Sequence, residues 1–167
     1  LTENEIDQIQ DALATSLERR LISDAPLALF LSSGVDSSLV AALCSRVLDK
    51  HPDTLTVSFS DAFVNDEAPR ARAIAKFLSL DHTILNSEAT DFGTSPQDLV
   101  QMFAQPVETL TAFSLRQISS AAKARVKVAI TGMGGDEVTF GYGKYSHVYE
   151  NRKYYDKPEW IRRLMGA

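Results

Sequence analysis

The sequence predicts an α/β fold, a parallel twisted sheet with helices on both faces, and three observations carry that prediction. The first strand-length run, LALFL, is apolar throughout instead of alternating, as strands buried on both sides are. Helix-length segments separate the strand-length runs, the order that builds a parallel sheet covered by helices. Glycine and aspartate gather in the loops after the first and last of these runs, beyond the strand ends where such sheets receive ligands.

The elements follow in order. Residues 3–20 place Ile6, Ile9, Leu13 and Leu17 on one helical face, and Thr2 followed by Glu5 resembles a capping box. LALFL (27–31) has strand length, and SLVAALCSRVL (38–48) carries good helix formers. TLTVSFS (54–60) is rich in β-branched and aromatic residues, as strands are, and APRARAIAKFLSL (68–80) returns to a helical pattern. HTILN (82–86) is the next strand, and SEATDFGTSPQ (87–97) is a polar connection. LVQMFA and FSLRQISSAAKARV give two further helices around Pro106, and VKVAIT (126–131) is the last strong strand.

With 167 residues, 44% of them hydrophobic, residues 1–167 are expected to form a single domain with one core. The net charge of −5, with Lys and Arg scattered, offers no long-range attraction for nucleic acid. Cys44 is the only cysteine, which excludes an intramolecular disulfide and a thiolate metal site and points to a reducing, cytoplasmic setting. No run approaches the roughly 20 apolar residues that span a bilayer, and the first residues lack a secretory pattern, so no membrane association is expected.

After LALFL comes Ser32-Ser33-Gly34-Val35-Asp36-Ser37-Ser38, directly before a helix. Unpaired N–H groups and the positive dipole end at such a position favour a phosphate, and Gly34 allows close approach. Ser32, Ser37 and Ser38 can add hydroxyl donors, while Asp36 suits the site only if Mg2+ lies between it and the phosphate oxygens. A serine-capped helix start explains the same residues locally, and both readings stand at this point. The glycine spacing and Gly-Lys-Ser/Thr ending of a Walker A loop are absent. The loop after VKVAIT, Gly132-Met133-Gly134-Gly135-Asp136-Glu137, again combines glycines with a carboxylate, and Gly141-Tyr142-Gly143 follows; a tight turn that starts a helix is its plainer explanation.

Three blocks in order, RRLISDAPLALFLSSGVDSSLVAAL, NDEAPRARAIAKFLSLDH and VKVAITGMGGDEVTFGYGKY, resemble the N-type ATP pyrophosphatase (PP-loop) family, whose fold is adenine nucleotide alpha hydrolase-like. Within that family they resemble the synthetase domain of asparagine synthetases. The resemblance implies that Ser32, Gly34, Asp36 and Ser37 cradle the phosphates of ATP, with Ser33 and Ser38 in the same loop. Asp36 and Asp136 would hold Mg2+. Leu31, Val57 and Gly132 match positions lining the nucleoside pocket, and for Leu31 and Val57 ordinary sheet core explains the same residues. Met133 and Gly134 fall on the substrate side.

The implied activity is ATP-dependent activation of a small carboxylic acid as an acyl adenylate, with release of AMP and pyrophosphate and formation of an amide. Aspartate would become asparagine with ammonia from glutamine, delivered by a glutaminase domain of a longer parent protein; a homodimer is the expected assembly. A catalytically degenerate nucleotide-binding homologue, or a cyclase that adenylates and uses another acceptor, are the alternatives.

Four departures from the family pattern bear on these expectations. Ser33 stands where the family prefers glycine, and its side chain is expected to crowd a phosphate or to strain the backbone if a positive φ is required. Met133 replaces an acidic residue facing the reacting intermediate, and a thioether does no acid–base work. Ala104-Gln105-Pro106 replaces Asp-Glu-Pro, removing two carboxylates. The family's later lysine has no counterpart up to Ala167; Lys144, Lys153 and Lys157 read as solvated surface charges. His82 and His147 receive no role, and Tyr142, Tyr145, Tyr149, Tyr154 and Tyr155 are expected to pack locally.

Overall fold

A computed structural model describes residues 1–59, 66–87, 96–104, 110–152 and 156–161. The described elements are α1 (Glu3–Arg20), β1 (Leu27–Phe30), α2 (Val35–Ala42), β2 (Asp53–Phe59), α3 (Ala68–Phe77), β3 (His82–Ser87), α4 (Pro96–Phe103), α5 (Leu110–Ala122), β4 (Val128–Ile130), α6 (Gly135–Thr139) and α7 (Gly143–Glu150). The chain divides into two compact units, Leu1–Gly132 and Met133–Ala167.

The first unit holds a four-stranded sheet in the order β3-β2-β1-β4 with every pairing parallel, as the apolar strands predict. β1 lies in the interior, matching Phe30 to Leu55 on one side and Leu29 to Ile130 on the other. Successive side chains of a strand point to opposite faces, and β1 therefore feeds two cores. Leu29 and Leu31 pack with Ala41 of α2 and with Ala71, Ala75 and Leu78 from α3 and its end. Ala28 packs with Leu55 and with Ala122 of α5 on the opposite face. Helices on both faces thus follow from the alternation within four residues.

The small residues of α3 are what bring it close: Ala68, Ala71 and Ala75 are all buried. Its end is a Schellman turn, in which the Leu80 N–H donates to the Ala75 carbonyl (2.9 Å) and the Ser79 N–H to that of Lys76 (3.2 Å), with Ser79 left-handed at φ 56°. α1 carries the expected capping box, the Thr2 N–H donating to Glu5 Oε2 at 2.7 Å, which also lowers the Glu5 pKa. Its apolar face is covered at only one end. Leu17 is buried with Ala14 against Leu43 and Cys44, whereas Ile6, Ile9 and Leu13 stay exposed.

The helix expected over 38–48 begins at Val35 instead, with Gly34 as an extended N-cap (φ −72°, ψ 155°). Asp36, Ser37 and Ser38 are therefore first-turn residues of α2 and not part of the preceding loop; the serine hydroxyls bond back to the Gly34 carbonyl, which lets the turn start early. From Leu43 to Val47 the helix widens into a π-turn. Cys44 is wholly buried there, and burial pushes its thiol up to about 11. Ser60, Gln105, Pro106 and most of the 87–97 connection lie outside the described residues.

His82 pairs with Thr54 across β2 and β3. The Thr54 hydroxyl donates to the Asp81 carbonyl (2.7 Å), so its oxygen accepts from His82 Nδ1 (2.9 Å), and the His82 Nε2 lone pair is left buried without a partner among the described residues. Burial first and the Arg72 charge second lower the pKa of the imidazole. The neutral ring is the form the fold accommodates, so its contribution is present above the unfolded value of about 6.5 and is lost as pH falls below it. Melting temperature should drop between pH 7.5 and 5.5, and His82→Phe should flatten that slope; equal slopes in the two proteins would contradict the assignment.

Candidate functional site

β1 is the point at which the sheet reverses direction. The chain proceeds from β1 outward through β2 to β3, then returns to the other side of β1 as β4. Open parallel sheets receive ligands just beyond the strand ends at such a switch, and here those ends carry the Ser32 loop and Gly132. They meet closely. A Cβ on Gly132 would lie 2.7 Å from the Ser37 nitrogen and 2.8 Å from the Asp36 carbonyl carbon. The main chain leaving β4 therefore touches the main chain that opens α2, a contact that only glycine permits.

The serines of the loop hold one another. Ser32 N–H donates to Ser37 Oγ (3.1 Å), the two hydroxyls are 2.8 Å apart, and Gly34 N–H donates to Ser32 Oγ (3.1 Å). Ser37 is buried, and Ser38 Oγ donates to the Gly34 carbonyl at 2.7 Å. Their hydroxyls thus shape the loop, and the donors left at its mouth are the first-turn N–H groups of α2, which have no partner inside the helix. No residue from Leu31 to Ser38 has a positive φ, so Ser33 sits without the backbone strain expected of a glycine replacement. Its N–H donates to Glu67 Oε2, 3.3 Å away, at the start of α3. An anion is therefore already accepting from this amide, and the sequence reading overlooked Glu67.

Leu31 directly follows β1 and opens this loop, and Val57 lies in β2. Leu31 is buried in the core; its N–H donates to the Leu55 carbonyl (2.9 Å), and its carbonyl accepts a short hydrogen bond from Thr56 Oγ1. Val57 is half-buried and paired with Leu85. Asp36 is half-buried in the first turn of α2.

The second unit carries the remaining candidates. Met133 is 70% exposed, Gly134 adopts φ 101° with open space where a Cβ would be, and Asp136 and Glu137 lie in the first turn of α6. Tyr142 donates to Glu137 Oε1 at 2.5 Å, which pushes the phenol up to about 12 and lowers the carboxyl pKa. The Lys144 ammonium stands 4.7 Å from the Tyr142 ring centre, and Phe140 and Tyr145 meet edge-on at 5.3 Å. Tyr142 and Tyr145 pack against each other, whereas Tyr149 is 68% exposed with the Arg152 guanidinium over its ring; Lys153, Tyr154 and Tyr155 lie outside the described residues. Among the described residues, no group of three or more His, Cys, Asp or Glu side chains forms a metal cluster. No helix among them is long and apolar enough to cross a membrane.

The family model described as asparagine synthase matches residues 8–166. The chain belongs to the asparagine synthase family. It is 33% identical over 163 residues to asparagine synthetase [glutamine-hydrolyzing] 2 of Bacillus subtilis, covering 93% of this chain but 21% of that protein. This asparagine synthase-family chain thus spans about a fifth of the length of that relative. Its fold is also that of the NH3-dependent NAD synthetase of Campylobacter jejuni (TM-score 0.50, 20% identity, 82% of this chain and 60% of the other). The U34-tRNA thiolase NcsA of Methanococcus maripaludis matches comparably (TM-score 0.50, 14% identity, 87% and 50%). These likenesses show an adenine nucleotide alpha hydrolase-like fold.

Because the Gly132 contact is backbone on backbone, neither side can yield by a rotamer change. Gly132→Ala should destabilise the protein by about 1–3 kcal/mol, the usual cost of overpacking. Chemical denaturation measures this, and a variant of unchanged stability would mean that the two segments can separate freely.

Proposed function

We propose that residues 1–167 form the synthetase-type ATP-binding domain of an amide-forming ligase, a reading supported by a family match that runs through both compact units. The observation that carries it is the loop at the sheet's switch point, closed on one side by Gly132 and offering main-chain donors at the start of α2. ATP enters as a substrate. Ser32, Ser33, Gly34, Ser37 and Ser38 shape the cradle for its phosphates, Leu31, Val57 and Gly132 border the nucleoside, and the Glu67 carboxylate on the Ser33 amide stands where a phosphate oxygen would accept. Gly134 and Met133 belong to the substrate side.

Mg2+ suits the donors at hand: it binds through one or two carboxylates plus substrate phosphates, not in an all-protein cage. We assign Mg2+ binding to Asp36 in the first unit and, taken by itself, to Asp136 in the second. When bound it would neutralise charge on the departing pyrophosphate. The α2 amides orient the phosphates, supplying position and electrostatic stabilisation. A substrate carboxylate oxygen attacks the α-phosphorus, the bond from that phosphorus to the bridging oxygen breaks, and pyrophosphate leaves. Ammonia then attacks the acyl carbon of the adenylate and gives up a proton to solvent, the acyl–oxygen bond breaks, and AMP leaves with the amide formed. Aspartate as the acid, glutamine as the ammonia source through a glutaminase domain of the parent protein, a homodimeric assembly and a cytoplasmic setting complete the proposal.

Met133 favours a second reading in which the activated acyl group passes to another acceptor, because its exposed thioether supplies neither a carboxylate nor a base where the family carries an acid. Pyrophosphate exchange into ATP with the full-length protein tests the shared first step. Exchange that depends on aspartate is expected; exchange with a different acid would favour the second reading, and none with any acid, despite tight ATP binding, would leave a nucleotide-binding homologue.

The Glu67 contact makes a separate prediction. A carboxylate that accepts from the Ser33 N–H competes with a phosphate for the same donor, so Glu67→Ala should tighten ATP binding roughly three- to tenfold, the net scale of an ordinary solvent-exposed hydrogen bond. Calorimetric titration reads this directly. Weaker binding would mean that Glu67 positions the loop instead of competing for it.

A further inference from the structure

We infer that Gly141 is a positioning residue for the Asp136 carboxylate, needed for the space it leaves and not for its own backbone conformation. Phe140, which caps α6 after Thr139, turns left-handed (φ 58°, ψ 36°) and folds the chain back, so that the Gly141 N–H donates to the Asp136 carbonyl at 3.1 Å. That turn lays Gly141 against the Asp136 side chain. A Cβ at 141 would overlap Asp136 Oδ1 and stand 3.2 Å from its Cγ and 3.4 Å from its Cα.

Gly141 itself is not at positive φ, so an alanine there meets no backbone penalty. The obstruction is almost wholly the end of one side chain, which escapes by rotating. The expected damage is therefore displacement of a carboxylate, with little loss of stability. Gly143, two residues on, has open space where its Cβ would lie and is not at positive φ. It is the natural control, since Gly143→Ala adds the same methyl group without touching Asp136.

The inference rests on the proposed role of Asp136 toward Mg2+, and the experiment keeps the two apart. In the full-length protein, ATP affinity is measured by calorimetry across a Mg2+ series, and melting is followed in parallel. Wild type should bind more tightly with Mg2+, and Asp136→Ala should weaken that dependence; if either fails, the role of Asp136 itself is wrong. Gly141→Ala should then raise the Mg2+ needed for half-maximal effect roughly tenfold, the lower end of the cost of losing a residue that orients a ligand. Gly143→Ala should leave it unchanged.

In an Asp136→Ala background, Gly141→Ala should add nothing, because no carboxylate remains to displace. A Gly141→Ala protein with wild-type Mg2+ dependence, or one whose effect persists in the Asp136→Ala background, overturns the inference. Should Gly141→Ala melt early, removal of the Asp136 side chain must restore its melting temperature. Failure to restore it overturns the inference equally.

Discussion

The main chain at the end of β4 touches the main chain at the start of α2, and much of the first unit depends on that contact. It determines how near the returning strand comes to the helix that opens beside β1, and so how closed the sheet's switch point is on one side. A side chain at position 132 would push the two apart by acting on the Ser37 nitrogen and the Asp36 carbonyl carbon, both main-chain atoms with no rotamer to change. β1, paired on both edges and packed on both faces, gives that contact a rigid base.

LALFL was legible in the sequence because a parallel strand covered on both sides carries a continuous apolar signal, and TLTVSFS because of its β-branched and aromatic residues. LALFL, TLTVSFS and HTILN lie within a residue of the observed ends, apart from Ser60, which is not described; VKVAIT shrinks to Val128–Ile130. The start of α2 was misplaced because Asp36, Ser37 and Ser38 favour caps and turns in isolation, and only the hydroxyl bonds to Gly34 show them working inside a first turn. The π-turn over Leu43–Val47 leaves no mark in composition or periodicity.

The site divides along the same line. The glycine- and aspartate-bearing loops were readable because they follow strands, and the family resemblance gave them chemistry. Glu67 was not, since it approaches Ser33 from 34 positions away across the fold. The glycines of the second loop look alike in sequence yet differ in kind. Gly134 is needed for its left-handed backbone, Gly141 for the volume it vacates, and Gly143 for neither reason. Only coordinates separate conformational need from steric need. The same holds for α1, whose apolar stripe is continuous in sequence but covered only near Ala14 and Leu17.

The buried Ser37 hydroxyl has a consequence for thermodynamics. It accepts from the Ser32 amide and lies within donating distance of the Ser32 and Gly34 carbonyls, so the loop acquires its shape when the chain folds. The entropy of ordering those residues is then a cost of folding and not of association. A ligand arriving at this loop meets a backbone already organised, and the deduction left in its affinity is the displacement of Glu67 from the Ser33 amide.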